Sequence, residues 1–213
     1  MMDRLIFRIE KLTFSYTDMP VFEDFSAISN AKVVVLRGPS GCGKTTLLKL
    51  LTGHLKPTSS PIYASIESSC LVIQEDGLFP WLTGVQNLTI GGNISYETVC
   101  QHPMYFLIKD FVEKKTYTLS FGQRRKIELV RAFTRRFRML CLDEPFNFID
   151  PGTRTVLADY INSNAMPETL IVMTTHYDAD VKGIESDIFT FDVALPVHGK
   201  HTPVHHKSGN SFL

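Results

Sequence analysis

Three runs in the chain are apolar at every position: Val33 to Leu36, Met139 to Leu142 and Leu170 to Met173. A strand with one face in water alternates apolar and polar residues, whereas a strand covered on both faces of a parallel sheet does not. These runs are therefore read as buried strands, with Leu5 to Phe14 and Leu71 to Ile73 as further strands. Segments with helical spacing fall among them: Thr45 to Leu51, Gln123 to Arg136, and Asp150 to Ala165, the last opened by Asp150 as N-cap and Pro151 at the first helical position. Strands alternating with helices predict an α/β architecture with a mainly parallel sheet. The rhythm fails after Trp81, where turn signals at Gly91-Gly92-Asn93 and His102-Pro103 accompany an apolar, helix-like run from Met104 to Val112. An inserted, mostly helical lobe is expected at about 81–120. From Leu195 the periodicity stops, and His198, His201, His205 and His206 stand in a stretch ending SGNSFL. The expected division is one domain over 1–194 and a flexible tail over 195–213. Histidine-rich tracts can bind metal, but no cysteine or carboxylate stands near these four in sequence.

Composition narrows the picture. A chain of 213 residues can bury one full core. Its 22 basic and 22 acidic side chains cancel, so no global charge draws it to nucleic acid or to an anionic membrane. The basic residues of Gln123 to Arg136 flank an apolar stripe of Ile127, Val130 and Phe133 and are read as a solvated helix face; with no aromatic interleaving, no nucleic-acid partner is expected. No apolar run approaches the roughly 18 residues of a membrane span, and charges are scattered through the first dozen positions where a signal peptide needs an apolar core, so a cytoplasmic location is expected. Cys42, Cys70, Cys100 and Cys141 are spread singly, as reduced thiols would be.

The chemistry is concentrated in two places. The stretch Gly38-Pro39-Ser40-Gly41-Cys42-Gly43-Lys44-Thr45-Thr46 fits G-x-x-x-x-G-K-[ST] between a strand and a helix. Its glycines let successive N–H groups turn inward around an anion at the positive end of the following helix. Lys44 would reach the β- and γ-phosphates of a nucleotide and the Thr45 hydroxyl would hold Mg2+. Cys42 is read as a small filler inside the loop. The alternative, a glycine-rich turn before a capped helix, does not account for the lysine and threonine in register. Met139 to Pro145, MLCLDEP, ends a buried strand in two carboxylates: Asp143 is assigned to the metal and Glu144 to polarising the attacking water. Taken alone, that pair could equally be an acidic turn at a strand end.

In sum, these stretches make the chain resemble the nucleotide-binding subunit of an ATP-binding cassette (ABC) transporter, over roughly Leu5 to Val193. The resemblance implies a P-loop NTPase core with a small antiparallel β lobe and an inserted helical lobe. It implies that Tyr16 stacks on adenine, that Gln74 senses magnesium, and that His176 acts as the switch beside the γ-phosphate. Leu119 to Gln123, LSFGQ, resembles the family signature, whose Ser120, Phe121, Gly122 and Gln123 would contact ATP held by a second copy; Asp150 would communicate across that dimer. Phe121 stands where the family most often has glycine, and its backbone N–H serves if its φ is negative. ATP and Mg2+ as cofactors, ATP-dependent homodimerisation, a separate membrane permease and a solute-binding protein are implied, with the subunit peripheral on the inner face of the membrane. The stretch EDGLFPWLTGVQNL resembles importers of nitrate, taurine and sulfonates, and places Phe79, Pro80, Trp81 and Leu82 as permease contacts, although their apolar character equally suits a core. A soluble ABC ATPase outside transport and a regulatory cassette with weak hydrolysis remain the alternatives.

Overall fold

The computed structural model describes residues 6–58, 68–90, 94–163, 166–192 and 195–207; Leu5, the Gly91-Gly92-Asn93 turn, Ala165, Val193 and the SGNSFL end lie outside them. The chain runs β1 (Phe7–Tyr16), β2 (Met19–Ser29), β3 (Val33–Arg37), α1 (Lys44–Leu51), β4 (Ser69–Val72), α2 (Gly84–Thr89), α3 (Tyr96–Cys100), α4 (Phe121–Thr134), β5 (Met139–Leu142), α5 (Pro151–Asn162), β6 (Leu170–Thr175), α6 (Asp178–Val181), β7 (Ser186–Thr190), β8 (Val197–His201) and β9 (Val204–His206). Among the described residues the larger sheet has the order β4-β5-β6-β3-β7-β9, parallel as far as β7 with β9 antiparallel at the edge. A second sheet of β1, β2 and β8 pairs β1 with β2 antiparallel and β8 with β2 parallel.

The all-apolar runs are strands buried on both faces. Val33 and Val35 of β3 join one core with Leu140 and Leu142 of β5 and Ile171 and Met173 of β6, beneath α4 and α5. The residues between them, Val34, Leu36, Met139, Cys141, Leu170 and Val172, join a second core with Leu47, Leu48, Leu50 and Leu51 of α1 and the phenylalanines of β1 and β2. Helix α1 is thus held between the two sheets, which fixes the position of the loop before it. Full burial also pushes the Cys141 thiol pKa well up, as desolvation does.

Strand β2 has no clean alternation to reveal it. Register breaks against β1 and left-handed residues at Lys11 (φ 46°) and Asp24 (φ 49°) shift which residues face inward. In the inserted lobe, α2 opens with a capping box between Thr83 and Gln86. The run from Met104 to Val112 is not the helix its pattern suggests: its hydrogen bonds mix i→i+3 and i→i+4 spacing, with Leu107 bonding Met104, Lys109 bonding Tyr105 and Val112 bonding Ile108. Met104, Ile108 and Val112 nevertheless reach the core beside Ile127 and Val130 of α4. So short a segment is marginal as a helix by itself, and packing decides its path.

The expected flexible tail is corrected over its described part. Val197 to His201 adds a strand to β2, and Val204 to His206 pairs with β7. The His201 ring lies 5.2 Å from that of Phe25 and 5.7 Å from that of Phe191. The carboxylates missing from the local sequence come from distant strands: His198 faces Glu23 at 3.5 Å and His205 faces Asp187 at 2.8 Å. Such short strands carry no readable period; the open edges of β2 and β7 template them.

Helix α5 begins as expected, with the Asp150 carboxylate accepting from the Thr153 N–H at 2.9 Å and from its hydroxyl at 2.8 Å, and pairing with Lys126 at 2.8 Å. Lys126 first, then the two Thr153 donors, hold the Asp150 carboxyl well below the ordinary carboxylate range. Because the Asp150 carboxylate is more than half exposed, solvent screens its pairing with Lys126, and the cap is the dependable part of the stabilisation. Asp150→Ala is expected to lower stability by about 1 kcal/mol in urea denaturation. A depressed pKa stabilises the fold above the ordinary carboxylate value, and that contribution is lost as pH falls from there toward the lowered folded-state value. The variant should therefore show a shallower fall in stability than wild type below about pH 4.

Candidate functional site

The glycine-rich loop joins β3 to α1. Gly41 (φ 81°) and Gly43 (φ 94°) are left-handed, and Gly43 is the N-cap of α1 without any side-chain cap. The turn therefore needs residues without a Cβ. A Cβ on Gly38 would also lie 2.6 Å from the Phe191 carbonyl. Lys44 is buried, and a buried ammonium requires acceptors; its Nζ donates to the carbonyls of Gly38 at 2.7 Å and Pro39 at 2.8 Å. The Cys42 sulfur, buried beside it at 3.9 Å, fills the loop as expected of a small residue.

The acidic pair lies at the end of β5. Asp143 is buried, accepting from the Thr45 hydroxyl at 2.7 Å and from the Thr174 hydroxyl of β6 at 2.6 Å. The same Thr174 oxygen accepts from the Glu144 N–H at 2.8 Å, so one hydroxyl positions both acids. Glu144 has φ 46°, a conformation that costs a non-glycine residue about 1–3 kcal/mol and is held by its surroundings. Its carboxylate accepts from Asn147 Nδ2 at 2.5 Å and meets Nε2 of His176. The other ring nitrogen of His176, Nδ1, lies 2.7 Å from the Gly38 carbonyl and 3.4 Å from Lys44 Nζ. Lysine, histidine, glutamate and loop carbonyl thus form one connected network. The adjoining oxygen donors of Thr45 and Asp143 suit a hard cation such as Mg2+.

Lys44, Thr45, Glu144 and His176 line a cavity of about 400 Å³ together with Ser40, Gly41, Thr46 and the exposed Gln74 after β4, and Asp143 stands behind Thr45. Tyr16 stands at its rim, 45% exposed, braced edge-on by Phe14 at 4.9 Å and with its hydroxyl 3.5 Å from that of Thr46. The structure therefore brings the loop, the acidic pair, Gln74, His176 and Tyr16 to one place.

The Leu119–Gln123 stretch lies elsewhere. Ser120 caps α4 and forms a capping box with Gln123. Phe121 occupies the first helical position and is absent from the residues with positive φ, so its backbone is unstrained. Its exposed ring contacts Phe148 at 5.5 Å and lies under the Arg124 guanidinium at 4.5 Å. A Cβ on Gly122 would meet the Phe148 carbonyl at 2.7 Å, so only bare backbone fits there. None of Ser120 to Gln123 lines the cavity around Lys44.

The reading of α4 as a solvated basic face is corrected. Arg125 is buried and donates to the carbonyls of Ile73 (2.7 Å), Asp143 (2.8 Å) and Glu144 (3.2 Å) while pairing with Glu128 at 3.1 Å. Glu128 accepts the Gly77 N–H, Arg131 donates to the Gly77 carbonyl at 2.9 Å, and Arg124 pairs with Asp76 at 2.6 Å. One helix face therefore clamps the segment after Gln74 to the turn holding Asp143 and Glu144. Burial pushes the Glu128 carboxyl pKa up, opposed chiefly by Arg125. A negative residue among these cations, at i+3 from Arg125, was the available signal in sequence.

Comparison with known proteins agrees with this geometry. The family model described as ABC transporter matches residues 25–147, more than half of the chain. The thiamine import ATP-binding protein ThiQ of Vibrio cholerae is 28% identical over 198 residues, covering 84% of this chain and 83% of that protein. The taurine import ATP-binding protein TauB of Yersinia pestis is 30% identical over 168 residues, covering 72% and 66%. A solved ATP-binding subunit of an ABC transporter superposes with TM-score 0.76 at 20% identity over 88% of this chain and 85% of its own, and a dimeric bacterial ABC transporter cassette with TM-score 0.76 at 19% identity over 97% and 100%. At those identities the likeness is one of fold. The glycine-rich loop, the acidic pair and the cassette fold, together with the matched model, place this chain in the ABC transporter family.

Proposed function

We propose that this chain is the ATP-binding and ATP-hydrolysing subunit of an ABC importer, energising uptake of a small solute through a separate membrane permease. The observation that carries this reading is the network joining Lys44, Gly38, His176 and Glu144 at one cavity with Thr45 and Asp143. The import role rests on relatives named for thiamine and taurine import. Lys44 would exchange its bonds to the Gly38 and Pro39 carbonyls for β- and γ-phosphate oxygens, at the N-terminus of α1. Tyr16 offers a ring for adenine. Glu144, aimed by Asn147 and His176, orients and deprotonates the attacking water, and His176 steadies the γ-phosphate. Thr45, Asp143 and Gln74 would hold Mg2+, which when bound neutralises charge developing on the phosphates.

The separation of Ser120 to Gln123 from this cavity suits a head-to-tail pair in which those residues and Asp150 serve the nucleotide of a second copy. Asn87 supports a permease contact: buried, it bonds both the N–H of Phe79 (2.8 Å) and its carbonyl (3.1 Å). The exposed rings of Phe79 and Trp81, 5.6 Å apart, are therefore displayed on a fixed loop. Pro80 and Leu82 complete that surface. Among the described residues no helix is long and apolar enough to cross a membrane, so attachment at the inner face of the membrane would come through the permease, with a solute-binding protein on the far side.

The test measures ATP turnover of the purified subunit and its co-purification with a membrane protein from its own cell. Turnover without any membrane partner would favour a soluble ATPase, and binding without turnover a regulatory cassette. Phe79→Ser combined with Trp81→Ser is expected to abolish co-purification while leaving basal turnover within about twofold, because both residues are exposed and neither lines the nucleotide cavity.

A further inference from the structure

The C-terminal segment reaches the nucleotide cavity. Leu195 lines it beside Tyr16, Met19 and Val21, 151 positions after Lys44 in the chain. Two anchors place it there. Beyond β7, the Phe191 N–H donates to the Arg37 carbonyl at 2.8 Å and its own carbonyl abuts Gly38, so the chain leaves the sheet directly behind the phosphate loop. Two residues after Leu195, β8 begins by pairing Val197 with Phe22, in parallel with the strand that starts at Met19. That register brings Leu195 to the start of β2, where Met19 and Val21 line the same cavity.

The cavity is consequently of two kinds. Lys44, Glu144 and His176 crowd one part, whereas Tyr16, Met19 and Leu195, each exposed and none charged, line another. A ligand with its anionic end at Lys44 presents its flat, weakly polar end to these side chains, and a nucleoside triphosphate is such a ligand. We infer that Leu195 and Met19 form, with Tyr16, the nucleobase subsite, so that the C-terminal segment is a working part of the nucleotide site. This inference rests on the proposed ATP-binding role. Burying apolar surface against a base stabilises the complex, and truncating one leucine removes a share of it.

Binding of ATP and of tripolyphosphate, which lacks base and ribose, is measured by calorimetry on the full chain with Mg2+ present. Leu195→Ala is expected to raise the Kd for ATP roughly three- to tenfold and to change the Kd for tripolyphosphate less than about twofold. Leu195→Met should restore ATP affinity. Val204→Ala, at a position 71% exposed in β9 and absent from the cavity, serves as a control expected to change neither. Unchanged ATP affinity in Leu195→Ala, or equal weakening for both ligands, overturns the inference; wild type that binds neither ligand overturns the ATP-binding role itself.

Discussion

Glu144→Gln is expected to lower ATP turnover by a factor on the order of 10² to 10⁴, the contribution of a positioned general base, with ATP affinity retained. The amide is the same shape but cannot take a proton from water. Its oxygen can still accept from Asn147 Nδ2, and no bond of Lys44, Thr45 or Asp143 passes through this side chain. Slow turnover should leave ATP in place between two copies, so size-exclusion chromatography with ATP and Mg2+ should show a dimer for the variant and monomer for wild type after its ATP is consumed. Turnover within tenfold of wild type would remove Glu144 from the proposed role. Equal, negligible turnover in both would point instead to a cassette that only binds.

Arg125→Met carries the second large effect. It leaves the Glu128 carboxylate buried without its cation and frees three carbonyls, at Ile73, Asp143 and Glu144. Breaking one side of a buried pair typically costs about 3–5 kcal/mol, and urea denaturation should register a loss of that size. Because two of those carbonyls belong to the acidic pair, turnover should fall as well. Adding Glu128→Gln is expected to recover part of the stability, since a neutral amide can still accept the Gly77 N–H without opposing an unpaired charge. Recovery of stability without recovery of turnover would separate the effect on the Glu144 turn from mere loss of fold. A single variant as stable as wild type would show that water reaches this face of α4.

Much of this site could be read directly because its chemistry is local. The phosphate loop needs glycines at fixed offsets, and the acidic pair needs a buried strand before it, so both show in contiguous residues. The strands β3, β5 and β6 were visible for the same reason: burial on both faces leaves an unbroken apolar run. Arg125 was not. A helical wheel separates polar from apolar positions, but it cannot show that the segment after Gln74 lies across the polar face, converting charges meant for water into a clamp. Nor could short strands such as β8 and β9 be found, whose conformation is imposed by the edges they join.

The α/β class, the phosphate loop, the acidic pair and the cap of α5 are legible in contiguous residues, because each follows from conformational preferences and hydrogen bonds within a few positions. It takes the folded chain to show that Thr174 fixes Asp143 and Glu144 together, that His176 bridges Glu144 to Gly38, and that the histidine-bearing segment docks beside the cavity with Leu195 at its rim. Those contacts join residues far apart in the chain, and their partners are selected by sheet order and close packing rather than by any neighbour in sequence.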